Sequence, residues 1–279
     1  MSYKLLALSV DGVLLKSNER MSKETKEAIE FTRKKGVHVV LVTNRSFPSA
    51  KKIAKQLKME HEMISHGGAL LSGISGLPIL ELQMNTDVVY DVTQLMERYP
   101  CRIQLENQEM ELENKHPQTR KGLGKIQFSL GEGLFQPKTY TDFISTKVYE
   151  KQLNGLRLFG EFENEKDAQR CSAQIKESIP DILVEEWGTQ LIIKHKEATK
   201  MKTLSYLLHE LGIFPEEMIY IGSGLSDIEA VRMAGIGVAM GQSPDSLKET
   251  ANWVTRSNDQ NGMAYMIKEV FRKQMKVQI

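Results

Sequence analysis

The first apolar run of the chain, Leu5 to Val10 within LLALSVDGVLL, is continuous rather than alternating, which predicts a strand buried on both faces that breaks at Asp11-Gly12. Between Ser22 and Lys35 the pattern changes to a helical period, with Ala28, Ile29, Phe31 and Thr32 along the inward side. Ser22 reads as the N-cap with Thr25 at N3, and Gly36 supplies the stop. VHVVLVT, residues 37–43, is a second β-branched run, residues 49–57 a second helix, and MISHGGALL a short apolar strand with a Gly-Gly turn. Strand, helix, strand, helix is the alternation of an α/β fold with a doubly wound parallel sheet, Rossmann-like in plan.

After Leu82 the rhythm changes. A helix is expected over Val88 to Arg98, strands at KIQFSL and GLRLFGEF, and a helix over Glu165 to Ser178. The loop ENKHPQTRKGLG reads as exposed, and its Lys and Arg residues have two readings, a solvated charged loop, which is the expectation, and a grip on a phosphorylated ligand. QLIIK then reads as a return to the first sheet, followed by the helix KMKTLSYLLHELG closed by Gly212, the buried strand MIYIG, the helix SDIEAVRMAG, the strand GVAM and the helix SPDSLKETA. The organisation expected is one α/β domain in two parts, residues 1–85 and 189–279, with an inserted α+β domain over 86–188. There is no internal repeat and no low-complexity tract.

Composition narrows the partners. Over 279 residues, Lys+Arg 37 against Asp+Glu 36 leaves a formal charge of +1, which lacks the basic footprint that nucleic acid or an anionic membrane surface requires. No stretch approaches the roughly 18 apolar residues of a membrane span, and the N-terminal apolar run lacks a cleavage site. Cys101 and Cys171, unpaired in spacing, fit a reducing cytoplasm rather than a disulfide framework. The His residues, including His61, His66 and His195, show no spacing for a zinc site; packing or surface roles are expected, with His66 set apart by its place in the turn before Gly67. A small-molecule partner is the expectation, with a protein partner as the other option.

Ligands of open parallel sheets bind beyond the carboxyl ends of the strands. Four segments put small, polar or charged residues there: Ser9-Val10-Asp11-Gly12, Thr43-Asn44-Arg45, Lys200 at the head of a helix, and Gly222-Ser223-Gly224-Leu225-Ser226-Asp227. Singly each has a bland reading. Asp11-Gly12 is a common turn, Lys200 stands among Lys194, Lys196 and Lys202, Arg45 suits a surface helix start, and Asp227 suits the positive end of a helix. Together they point to a phosphate held by the Thr43 hydroxyl, the Lys200 ammonium and backbone N–H groups of the turns.

These motifs resemble those of the haloacid dehalogenase superfamily: strand-D-x-D-G-T, T-G-R after the second strand, a Lys opening a late helix, and G-D-x-x-N-D after a late strand. GVAMGQSPDSLKETANWVTRSNDQNG is most similar to the Cof-type sugar-phosphate phosphatases of that superfamily. The resemblance spans essentially the whole chain and implies a cap domain inserted in a Rossmann-like core, and a small phosphorylated metabolite as ligand. In the family the first Asp of D-x-D attacks phosphorus and the second is general acid and base. Mg²⁺ is held by the nucleophile, the carbonyl of the second Asp and carboxylates of the last motif. Carried onto this chain, the nucleophile position is Ser9, the acid/base is Asp11, and the metal positions are Ser9, the Asp11 carbonyl, Ser223 and Asp227. Thr43 and Lys200 complete the implied catalytic set. Gly12, Asn44, Arg45, Gly67 and Gly68 are the implied ligand contacts.

The departures bear on activity. Val13 replaces the family's Thr, Gly67 its Asn, Ser226-Asp227 its Asn-Asp pair and Gln242 its Asn. Mg²⁺ is usually bound through one or two carboxylates plus waters and phosphates, so losing acidic groups at Ser9 and Ser223 weakens the site. Loss of a nucleophile costs on the order of 10⁶ in kcat in a serine protease. A serine in its place needs a base or metal to ionise. The expected function is therefore a Cof-type phosphatase-like protein, catalytically degenerate, that binds a phosphorylated metabolite or a protein partner. The alternative is a weak phosphomonoester hydrolase in which Asp11 activates water as general base, a role worth roughly 10² to 10⁴.

Overall fold

A computed structural model describes residues 2–115 and 138–272. They form two compact units, one built from the chain up to Asn44, Ala50–Leu80 and the chain from Thr199 onward, the other from Glu81–Ala198 with the short segment Arg45–Ser49.

In the first unit, β1 (Leu5–Ser9) is buried along its whole length, as a continuous apolar run with parallel neighbours on both sides must be. Helix α1 (Lys23–Lys34) starts where the Ser22 hydroxyl accepts from the Thr25 N–H at 3.1 Å, and Gly36 beyond it has φ +79°. Strand β2 (His38–Val42) and helix α2 (Phe47–Gln56) follow. MISHGGALL is a hairpin rather than a single strand: β3 (Met63–Ser65) and β4 (Leu70–Ser72) pair antiparallel across the His66–Gly68 turn, and β5 (Pro78–Glu81) ends this stretch at the sheet edge.

The second unit opens with α3 (Thr86–Met96), capped by Asn85 rather than beginning at Val88. It continues through β6 (Cys101–Glu106), β7 (Glu111–Asn114), β8 (Lys138–Thr141), α4 (Ile144–Lys151), β9 (Arg157–Phe162), α5 (Glu165–Ser178), β10 (Ile182–Trp187) and β11 (Gln190–His195). The sheet order is β10-β11-β9-β6-β7-β8. Alternation along β6 sends Cys101, Ile103 and Leu105 into a core shared with α3, α4 and α5, and Arg102, Gln104 and Glu106 to the opposite face. The expected strand KIQFSL and most of the loop ENKHPQTRKGLG lie outside the described residues.

The expectation for QLIIK is corrected. As β11 it runs antiparallel to β10 and β9 in the second unit's sheet, and the first unit resumes only at Thr199 rather than at residue 189. An apolar strand carries no label for its sheet. The hairpin turn that assigns it is Gly188-Thr189, with Gly188 at φ +60° between the paired Trp187 and Gln190.

Back in the first unit come α6 (Lys200–Glu210), β12 (Met218–Gly222), α7 (Ile228–Met233), β13 (Ile236–Ala239), α8 (Asp245–Thr250), β14 (Trp253–Val254) and α9 (Gly262–Phe271). The eight-stranded order is β14-β13-β12-β1-β2-β3-β4-β5, with β1 parallel to both β12 and β2. Its core joins Leu5, Val40, Ile64 and Tyr220 of the strands to Leu204, Leu207 and Val231 of α6 and α7. Helix α9 packs beside α1. No helix among the described residues is long and apolar enough to cross a membrane.

Candidate functional site

The strand order puts the switch point of the core sheet at β1. One neighbour follows it in sequence and the other returns from the far end of the chain, so the crevice beyond their carboxyl ends is where such sheets take ligands. Ser9, Thr43 and Ser223 close β1, β2 and β12 there, and the register Leu8↔Ile221 and Ser9↔Val42 brings these ends level.

The turn after β1 depends on Gly12. Its φ is +68°, and a Cβ on it would stand 2.8 Å from the Ser223 Oγ and 3.2 Å from the Gln242 Nε2. Two side chains close on this turn. The Ser223 hydroxyl donates to the Asp11 carbonyl at 2.5 Å, and the Gln242 amide donates to the Gly12 carbonyl at 2.6 Å. Gln242 is itself positioned by the Asn258 N–H at 3.0 Å, and the Asn258 amide donates to the Leu15 carbonyl at 2.9 Å. Ser9 is buried behind the turn, while the Asp11 residue is exposed.

A second anchor joins the hairpin turn to α6. Gly68 has φ +104°, and a Cβ there would run into the Thr199 carbonyl carbon at 2.3 Å and the Lys200 N at 2.7 Å. The Thr203 hydroxyl donates to the Gly68 carbonyl at 2.6 Å, and the Gly67 N–H to the Thr43 carbonyl at 3.0 Å. Thr43 is buried at the end of β2, and Asn44 donates to the Ser226 hydroxyl at 3.2 Å. Arg45, whose guanidinium donates to the Ser49 hydroxyl at 3.3 Å, falls in the short segment that groups with the second unit.

Asp227 is the electrostatic centre. It is 1 % exposed, and its Oδ1 accepts from the Lys200 Nζ at 2.7 Å and the Tyr220 hydroxyl at 2.8 Å. Its Oδ2 accepts from the N–H groups of Ser223 at 2.9 Å and Gly224 at 3.1 Å. Burial by itself would raise this carboxyl, but the Lys200 ammonium and the two N–H groups outweigh burial and hold it below the usual aspartate range. Burial and the adjacent carboxylate push the Tyr220 phenol well up, so it remains a donor. Gly222 is what lets the loop fold back so closely, since a Cβ there would sit 2.6 Å from the Asp227 Cβ.

Of the sequence-predicted residues, Ser9, Asp11, Gly12, Thr43, Asn44, Gly67, Gly68, Lys200, Ser223 and Asp227 all fall in the turns and element ends at this edge or directly behind it. Tyr220 and Asn258 were not expected. Tyr220 reads as one more apolar residue of a core strand, and its signal is that a buried tyrosine hydroxyl needs a partner. Asn258 lies in the SNDQNG end of the stretch that carries the resemblance, which gave it no role.

These donors do not fit Mg²⁺. A hard dication needs carboxylate oxygens with lone pairs to spare, and both oxygens of Asp227 are engaged by four donors, one of them a cation at 2.7 Å. The Asp11 carbonyl already accepts the Ser223 hydroxyl, and Ser9 and Ser223 bring no charge.

The family model for haloacid dehalogenase-like hydrolases matches residues 6–267, and the chain belongs to that family. Among similar proteins is the stress response protein YhaX of Bacillus subtilis strain 168, 34% identical over 99% of this chain and 96% of its own. The 5-amino-6-(5-phospho-D-ribitylamino)uracil phosphatase YcsE of the same organism is 25% identical over 95% of this chain and 94% of its own. A haloacid dehalogenase-like hydrolase of Bacteroides thetaiotaomicron has the same fold, with a TM-score of 0.83 at 22% identity, covering 97% of this chain and 100% of its own.

Proposed function

We propose that this phosphatase-like chain binds a small phosphorylated metabolite at the carboxyl edge of its core sheet and has lost most of the family's hydrolytic chemistry. The observation that carries the reading is the loss of acidic groups at Ser9 and Ser223, which leaves Asp227 alone among the implied metal carboxylates. The carboxylate that the resemblance assigns to the metal is buried in a neutral pair with Lys200 and saturated by four donors, with serines at the other acidic positions. In this reading the second unit corresponds to the family's inserted cap domain. The buried, unpaired Cys101 and Cys171 support a reducing compartment, in keeping with a cytoplasmic protein.

The test is phosphate release from p-nitrophenyl phosphate with and without Mg²⁺. Wild-type protein is expected to give no Mg²⁺-dependent turnover above an Asp11→Ala control, and the double variant Ser9→Asp, Ser223→Asp to gain it. Vigorous Mg²⁺-dependent turnover by wild type, abolished in Asp11→Ala, overturns the proposal. The exposure of Asp11 favours one second reading, a slow hydrolase in which this carboxylate activates water. That reading requires slow turnover without added metal that Asp11→Asn removes.

A further inference from the structure

At the opposite, amino edge of the same sheet, the fold gathers three side chains that sequence spacing keeps apart. His38 opens β2, and His61 and Glu62 immediately precede β3, the parallel neighbour of β2. The His residues show no ligand spacing for zinc along the chain, yet the fold groups two of them with a carboxylate. Ligand spacing rules count residues along one segment, whereas parallel pairing brings together the starts of two strands. The His38 Nε2 lies 2.8 Å from the Glu62 Oε2, and the rings of His38 and His61 face each other at 4.1 Å between centroids with 40° between their planes. One ligand atom from each of the three residues lies within 4.8 Å of the others.

We propose that His38, His61 and Glu62 bind a divalent ion of the zinc class. Two imidazoles and one carboxylate are the donor set that zinc takes, with bonds of about 2.0–2.1 Å, and such a set leaves a fourth position for water or another ligand. Tetrahedral zinc holds its ligand atoms about 3.3 Å apart, so side-chain rotation suffices to close the set around an ion. The ion takes the place of the hydrogen bond between the His38 Nε2 and the Glu62 Oε2.

The surroundings suit the role. His38 is buried, with its ring in place at the head of a core strand, while His61 and Glu62 are half-buried, which leaves a path for an ion. The loop that carries the latter two is fastened by Arg33, whose guanidinium donates to the Lys58 carbonyl at 2.7 Å and the Leu57 carbonyl at 3.5 Å. The site is also separate from the candidate phosphate site. At about 3.3 Å per residue, His38 and Thr43 stand at opposite ends of β2, about 16 Å apart.

Zn²⁺ titrated into the full chain by calorimetry tests the proposal, with Co²⁺ as an optical reporter. The expected result is one saturable site per chain and visible Co²⁺ bands typical of nitrogen and oxygen ligation. Affinity should fall at least about tenfold in His61→Ala and in Glu62→Gln, since even partners behind the ligands are worth that much. Both variants keep the buried His38, and circular dichroism confirms that they fold. Ser223→Ala, at the other edge, should bind Zn²⁺ as wild type does. Absence of saturable binding to wild type, or undiminished affinity in both variants, overturns the assignment.

Discussion

The core sheet and the sheet of the second unit both hold charge away from water, by different routes. The core concentrates it in one carboxylate, Asp227, with four donors supplied by α6, β12 and the following loop. The second unit spreads it over one face as a ladder: Arg102 with Glu113 at 2.7 Å, Lys138 with Glu111 at 2.7 Å and Glu113 at 3.7 Å, Arg157 with Glu106 at 2.7 Å, and Lys194 with Glu185 at 2.9 Å. The outcomes differ. Glu111 is pushed up, by burial first, despite the pull of Lys138, whereas Asp227, more deeply buried, is held down. What keeps a buried carboxylate ionised is the number of donors aimed at it, not the number of ion pairs nearby. Where the ladder shares a partner, as Lys138 does between Glu111 and Glu113, it tolerates the loss of a rung; a single centre does not.

The sequence has two tryptophans, Trp253 in the first unit and Trp187 in the second, so Trp187→Phe and Trp253→Phe backgrounds let fluorescence report each unit in urea. The largest effect is expected from Asp227→Asn, which strands the Lys200 ammonium: about 3–5 kcal/mol lost at neutral pH, read by Trp253. A loss below about 1 kcal/mol would mean that the centre is worth no more than the shared rung at Glu111. The same variant isolates a pH effect. Because the folded carboxyl lies below its unfolded value, its stabilisation is complete above about pH 4 and disappears as pH falls through the lower folded value. Wild type should therefore lose stability on acidification more steeply than Asp227→Asn.

Glu106→Gln, which leaves the buried Arg157 without its carboxylate, is expected to cost about 3 kcal/mol, read by Trp187. Gly12→Ala should cost about 2 kcal/mol through its positive φ and the Ser223 contact, with Trp253 reporting. Smallest is Glu111→Gln, at under about 1 kcal/mol near neutral pH, since relief of the burial penalty offsets the lost contact with Lys138. Its pH dependence runs opposite to that of Asp227. A raised carboxyl favours folding while protonated, so the charged form becomes a cost as pH rises past about 4.5, and the variant should compare best with wild type above that point. If Glu111→Gln costs as much as Asp227→Asn, the contrast between the two sheets fails.

Periodicity and caps made much of the fold legible before any coordinates. Ser22 with Thr25, the helix Glu165–Ser178 and the strand Met218–Gly222 follow local rules that tertiary packing did not override. QLIIK was read into the wrong sheet because a continuous apolar run reports burial and not its neighbours, and the Gly188-Thr189 turn that settles it is a weaker signal. At the candidate site, the glycines and the Lys200 and Asp227 positions were legible as motifs. The Ser223 clasp on the Asp11 carbonyl was not, because it joins residues 212 apart in sequence, and the Tyr220 hydroxyl and the Lys200–Asp227 pair were not, because the facing of a strand, a loop and a helix end is set by the fold rather than by spacing. The grouping of His38 with His61 and Glu62 was not legible either, because it is made by the pairing of two strand starts.

The pairing of β1 with β12 bears on how the molecule is made. Leu5 stands opposite Met218, and the clasp from Ser223 to Asp11 spans 212 residues of sequence. At about 5–20 residues per second, a ribosome needs tens of seconds or less to deliver the second partner, and until then the central strand of the core has one flank bare. The residues of the second unit, nearly all contiguous, emerge in full during that interval. The first strand synthesised, Leu5–Ser9, is thus among the last to be completed, and an apolar strand with a bare edge is what a chaperone covers on the way.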